Sequence, residues 1–224
     1  MMFDINGQRA FADTGGRALD PARKTVIFVH GAGQDHSIWV LPTRYFSGHD
    51  RNVIAVDLPG HGRSGGAPLE RIEAMADWLI AALDSAGLGE AAVVGHSLGS
   101  LAAIAAAARH PKRVRAIALI GSTLPMRVSE ALLETARSNR QEAIDILTTW
   151  RHSKSVQSGG DSPPGSSMLD RARRLLERAA PGVIYTDLKA YNVGSRSQLD
   201  HRDTFDTPSL IECWRTAPYM HDGS

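Results

Sequence analysis

Residues 95–99 read GHSLG, a serine held between two glycines, and they join the small apolar run AAVV at 91–94 to the alanine-rich run LAAIAAAA at 101–108. A strand, a tight turn and a helix are the expected local structure. A serine hydroxyl is a weak nucleophile until a base takes its proton and a donor stabilises the oxyanion that forms. The glycines address the steric part of that requirement: with no side chain at 95 and 99, neighbouring backbone can close on the turn and hold Ser97 in a strained conformation at its apex. The apex is also a helix N-terminus, whose dipole favours developing negative charge. The N–H of Leu98 is therefore the natural first oxyanion donor. The second is expected from HGAG at 30–33, through the N–H of Ala32. Losing one such donor typically costs about 2.7–4 kcal/mol of transition-state stabilisation.

The rest of the first half supplies elements to position these groups. Residues 3–12 read as a hairpin turning at Asn6 and Gly7, a pair suited to positive φ. The runs at 24–30, 52–57, 91–94 and 115–120 are apolar and rich in β-branched residues, as buried strands are. Between them, 37–46, 72–86 and 97–108 read as helices; Ile72, Met75, Ala76, Leu79, Ile80 and Leu83 share one face of the second. Strands alternating with helices imply an α/β fold with a mostly parallel sheet and right-handed crossovers. From about residue 126 the pattern becomes helical, at 130–150 and 167–180, around the polar loop SVQSGGDSPPGSS at 155–167. Such an insertion is expected as a cap over the C-terminal edge of the sheet, where open α/β sheets bind ligands. The arginines at 171–178 are expected on a solvated helix face with i,i+4 pairing. The organisation read is thus a core at 1–125, a cap at 126–184 and an atypical, partly irregular tail at 185–224.

Bulk composition narrows the partners. With 224 residues, there is enough chain for one sizeable core. Lys+Arg of 25 against Asp+Glu of 24 leaves a formal charge of +1, so no electrostatic footprint points to nucleic acid or an anionic membrane. The start of the chain shows no basic-then-apolar leader, no stretch is long enough to span a membrane, and a cytoplasmic location is the expectation. Cys213 is the sole cysteine, which excludes an internal disulfide and any C-x-x-C site.

Three segments, VIFVHGAGQDHSIW, VIAVDLPGHGRSGG and VVGHSLGSLAAIAAAARHPKRVRAIALIGS, together resemble the α/β-hydrolase superfamily in order and spacing, and the helical stretch to about residue 183 resembles its cap. The resemblance implies an eight-stranded, mostly parallel sheet, a serine nucleophile at Ser97, and hydrolysis of an ester-like or related carbonyl in a small-molecule substrate without a cofactor or metal. Gly31, Trp39 and His96 are expected around the substrate, Trp39 as core or pocket wall. His30 is expected to shape the oxyanion loop, and Asp57 and His61 to organise the loop they occupy.

The superfamily continues with an acid after a strand beyond the cap, then a histidine after the last strand. The usual surroundings of those residues, of the kind CPTLIIxGxxD and GxGH, do not occur here. Residues 185–224 instead resemble, in FDTPSLIECWRTAPYMHDGS, a C-terminal portion of bacterial di-haem cytochrome c peroxidase-like proteins. The C-x-x-C-H of that family is missing, so haem is not implied. His201 or His221 is left as a substitute base and Asp206, or Asp187, Asp200 or Asp203, as orienting acid. A core lacking its last strand-helix units would have weak activity, or would be a non-catalytic or truncated fragment, with a sheet edge open to self-association; a peroxidase-related role is the remaining alternative.

Overall fold

The computed structural model describes residues 1–124, 126, 128–138, 140–150, 152, 168–180 and 182–191. Strands β1 (Met2–Ile5) and β2 (Gln8–Asp13) form the expected hairpin. Its turn residues Asn6 and Gly7 both have positive φ, 54° and 77°, as a two-residue loop matched to strand twist requires. The chain continues through β3 (Thr25–Val29), a 3-10 turn (His36–Trp39), α1 (Val40–Gly48), β4 (Asn52–Val56), α2 (Ile72–Ser85), β5 (Ala91–His96), α3 (Leu98–Arg109) and β6 (Val114–Ile120). The strands make one six-stranded sheet in the order β1-β2-β4-β3-β5-β6. Pairs β4/β3, β3/β5 and β5/β6 are parallel, whereas β1/β2 and β2/β4 are antiparallel.

Side-chain alternation divides the core. From β3, Ile27 and Val29 join the larger apolar cluster that includes Leu79, Leu83, Leu101 and Ala102 of α2 and α3. Val26 and Phe28 turn to the other face and pack with Trp39, Val53 and Ala55. Every residue of β3 and β4 is buried, which accounts for their unbroken apolar sequences. β6 closes the sheet among the described residues, and there Ile117 and Leu119 keep 40% and 39% of their surface exposed.

Because β4 lies on one side of β3 and β5 on the other, the chain reverses its direction of winding at β3. A crevice therefore opens beyond the C-terminal ends of β3 and β5, the usual ligand position of an open α/β sheet. Register places Val29 beside Gly95, so residues 30–33 and Ser97 leave the sheet at the same height.

The helices after the sheet are α4 (Glu130–Ser138), α5 (Arg140–Trp150), α6 (Met168–Arg178) and α7 (Val183–Tyr191). The span read as one helix at 130–150 is thus two, and both contribute to the large core through Leu132, Leu133, Ala143, Ile144 and Leu147. α5 packs against α6 and α4 against α7. α7 runs without interruption across positions 184 and 185. No helix among the described residues is long and apolar enough to cross a membrane.

The turn from β5 into α3 sets the tightest packing. A methyl group on Gly95 would lie 2.2 Å from the carbonyl oxygen of Gly99, backbone that cannot swing aside as a side chain would. Gly95→Ala is therefore expected to lower stability by about 1–3 kcal/mol, the range for overpacking a filled interior, measurable as a shift in urea midpoint at constant slope.

Candidate active site

Ser97 sits between β5 and α3 with φ 53° and ψ −118°, a left-handed φ that a residue bearing a Cβ adopts only at a cost of about 1–3 kcal/mol. Its surroundings enforce the conformation. The Ser97 N–H donates to the carbonyl of Ile120 at 2.9 Å, and its carbonyl accepts from both the N–H and the hydroxyl of Ser100, at 2.8 and 2.5 Å. Gly99 presses against β3: a Cβ there would be 2.3 Å from the Val29 carbonyl oxygen. Leu98, fully buried, opens α3 directly after the serine.

The loop after β3 closes over the same point. A Cβ on Gly31 would stand 3.2 Å from Ser97 Cβ, 2.9 Å from His96 Nδ1 and 2.8 Å from Gln34 Oε1, so position 31 must be bare for this loop to meet the serine. Gln34 ties the assembly together, with Oε1 accepting from the Gly31 N–H and from His96 Nδ1, both at 3.0 Å. Nothing in the sequence pattern singles out Gln34. Ala32 is buried at the centre of the loop.

Behind the loop lie polar groups buried as completely as the core. His30 donates from Nδ1 to the Gly31 carbonyl at 2.8 Å and accepts at Nε2 from the Leu58 N–H at 3.0 Å, a pairing that only the neutral ring satisfies. Burial first, and the nearby charge of His61 second, push its pKa down to about 3. Asp57 organises its loop as expected: Oδ1 accepts from the His36 N–H and ring Nδ1 at 2.7 and 2.8 Å, and Oδ2 from the Arg63 N–H at 2.8 Å. Burial opposes a charge on His36, but the hydrogen bond to Asp57 outweighs it and raises the pKa. Asp35, His36 and Asp57 bring ligand-type atoms within 4.8 Å of one another. Hydrogen bonds within the loops already use both Asp57 oxygens and Asp35 Oδ1, as structural carboxylates do.

A cavity of about 1140 Å³ lies between this floor and the later helices, lined by His96, Ser97 and Gly121 below and by Trp150, His152 and residues of α6 above. Ile38, Leu41 and Pro42 form an apolar side wall, while Trp39 turns into the core, its ring 5.0 Å from that of Phe28. Arg171, Arg174 and Arg178 all line the cavity, so the arginine face of α6 is turned in part toward the site. Its pairings reach across elements: Arg173 bridges to Asp145 of α5 and Arg178 approaches Asp35 at 3.7 Å.

Of the substitute acids, Asp187 is described and lies on α7, fully buried and bonded to His61. His110 pairs with Asp77 on an exposed surface, and His152 Nδ1 bonds the Thr148 carbonyl. His201, His221, Asp200, Asp203 and Asp206 lie outside the described residues.

Residues 24–197 match the family model described as alpha/beta hydrolase fold. The chain belongs to the α/β-hydrolase fold family. This α/β-hydrolase is 25% identical over 189 residues to an (E)-2-((N-methylformamido)methylene)succinate hydrolase of Acinetobacter baylyi, covering 83% of the chain and 70% of that protein. It is 37% identical over 111 residues to a pimeloyl-[acyl-carrier protein] methyl ester esterase of Neisseria meningitidis, covering 47% of the chain and 32% of the relative. It thus spans about a third of that second relative. Among solved structures, the enol-lactonase of Burkholderia xenovorans superposes with a TM-score of 0.70 at 18% identity, over 86% of this chain and 74% of that one, which establishes a shared fold.

Within this α/β-hydrolase the buried His30 has a thermodynamic signature. Unfolded, it takes up a proton near pH 6.5; folded, it stays neutral down to about 3. Its contribution is therefore intact above pH 6.5 and is lost as pH falls, with a slope of up to about 1.4 kcal/mol per pH unit. His30→Leu is expected to be less stable at pH 7.5 by about 1–3 kcal/mol through its two abandoned partners, yet to lose less on going to pH 5. Urea unfolding at the two pH values checks both.

Proposed function

We propose that the protein is a serine hydrolase acting on an ester-like carbonyl, with Ser97 as nucleophile and the N–H groups of Ala32 and Leu98 as oxyanion donors. The observation that carries this reading is the left-handed Ser97 backbone, held by Gly95 and Gly99 at the mouth of α3 and facing a cavity roofed by helices. A strained residue at a cavity is retained where its position is used. In this reading residues 1–125 are the catalytic core, 126–184 the cap, and 185–224 supply His221 or His201 as base and Asp206 as acid. Attack by Ser97 Oγ on the carbonyl carbon transfers its proton to the base, and the leaving alcohol takes that proton as the acyl-enzyme forms. Water then releases the acid by the same route. The oxyanion hole and binding alone would leave roughly 10³- to 10⁴-fold acceleration over water, so weak turnover is compatible with a degraded base.

Cavity charge refines the substrate. Among the described residues Arg171 and Arg174 form no ion pair, and Glu177 is the only carboxylate beside them in the cavity lining. A guanidinium fork suits a carboxylate. An acyl group with an apolar stem and a free carboxylate fits this lining, and the relative named as an (E)-2-((N-methylformamido)methylene)succinate hydrolase lends support.

Fluorophosphonate labelling tests the nucleophile: wild type is expected to label and Ser97→Ala not to, and equal labelling of both would remove Ser97 from the mechanism. His201→Ala and His221→Ala are expected to separate the two candidate bases, one slowing the reaction and the other not; wild-type rates in both would dismiss each. For the substrate, Arg171→Gln with Arg174→Gln is expected to raise KM for a p-nitrophenyl monoester of a dicarboxylic acid by about 3- to 10-fold while sparing a neutral p-nitrophenyl ester, an effect that salt suppresses.

A further inference from the structure

Three groups from the helices after the sheet converge on Gly33, the residue that follows Ala32. The Gly33 N–H donates to Asp187 Oδ2 of α7 at 2.8 Å. With φ of +64° it turns its bare Cα outward, where a Cβ would lie 2.7 Å from Leu176 Cδ2 of α6 and 3.5 Å from Ile184 Cγ1 of α7. The same Asp187 oxygen bonds His61 Nε2 at 2.8 Å, and His61 Nδ1 donates to the Pro59 carbonyl at 2.9 Å. Asp187 is wholly buried and His61 nearly so. Asp187 Oδ1 has no partner among the described residues, so Oδ2 carries all of the carboxylate's bonding there.

We propose that Asp187 is a positioning residue: through Gly33 it fixes the 31–33 loop against Ser97, and through His61 it locks that loop to the turn after β4. The inference rests on the reading of Ala32 as an oxyanion donor, and it adds that the helix leaving the cap, rather than the core alone, sets where that donor points.

The chemistry of His61 supports the lock. Pro59 O and the carboxylate are both acceptors, and a neutral imidazole has a single N–H to offer them. The doubly protonated ring serves both. Burial works against that charge, but the Asp187 carboxylate and its hydrogen bond outweigh it, and the pKa of His61 is raised above 6.5. The ionisable groups facing His61 are Asp187 from α7, His30 from the end of β3, 4.8 Å away between ring centroids, and Asp57 from the end of β4. His30 is neutral and Asp57 favours the cation, so both acceptors keep their donors for as long as His61 stays protonated. As pH rises through the raised pKa, one acceptor loses its donor and the lock loosens.

Two readouts on the full chain test this: the rate of Ser97 phosphonylation by a fluorophosphonate, and hydrogen exchange at the Gly33 amide followed by NMR on glycine-labelled protein. D187A, provided it melts cooperatively, is expected to phosphonylate about 10²-fold more slowly, as misplacement of a reacting group by an ångström does, and to lose protection at Gly33. D187N keeps an acceptor for Gly33 but removes the charge that holds the His61 proton. It is expected to retain Gly33 protection while His61 is protonated and to lose it at a lower pH than wild type. A merely structural loss of stability would not move that pH. A folded D187A with wild-type protection at Gly33 and a wild-type rate overturns the proposal. Should D187A fail to fold, an unmoved pH dependence of Gly33 protection in D187N overturns it instead. If wild type itself shows no Ser97-dependent labelling, the nucleophile reading fails, and the exchange data alone support or overturn the role of Asp187.

Discussion

Backbone packed on backbone at the turn from β5 into α3 is the constraint on which the site depends. Gly95 lies against Gly99 and Gly99 against the carbonyls of Val29 and His30 with no room for a Cβ on either. The contact brings the start of α3 down onto the end of β3, and only then are Ser97 and the 30–33 loop neighbours. It also forces the left-handed φ of Ser97, a cost met by the Ile120 and Ser100 hydrogen bonds and by the filled core on which α3 rests.

Around that contact the loops at the C-terminal edge of the sheet are joined by buried imidazoles and carboxylates. His30 and His61 lie side by side, yet the pKa of the first is lowered and that of the second raised, and the partners explain it. His30 faces one acceptor and one donor, which the neutral ring matches; His61 faces two acceptors, which only the cation matches. In a low-dielectric setting an unmatched polar atom is expensive, so each ring takes the state its neighbours allow. The loops after β3 and β4 are thereby fixed to each other and to α7.

Much of this was legible in the chain before folding. The Asn6-Gly7 hairpin, the unbroken apolar runs of β3 and β4, and the glycines of GHSLG each obey a local rule and lie where that rule puts them. Less legible were features that depend on neighbours far along the chain. The arginines of α6 satisfy a solvated-face pattern, but their helix is laid over the cavity, so Arg171 and Arg174 line it instead. Helical periodicity at 130–150 does not announce a division into α4 and α5, because both halves keep an apolar face. Gln34 and Asp187 are single polar residues in unremarkable surroundings, and a hydrogen bond spanning 154 positions, as from Gly33 to Asp187, leaves no trace in spacing.

The sequence by itself determined the order of strands and helices as far as β6, the bare glycines and the serine between them, because hydrophobic period and steric permission are properties of adjacent residues. The tertiary structure alone decided which histidine would resist a proton and which would favour one, which arginines would line the cavity, and that α7 would hold the loop beside Ser97. Those outcomes depend on donors and acceptors brought together from distant parts of the chain, and on how completely water is removed from between them.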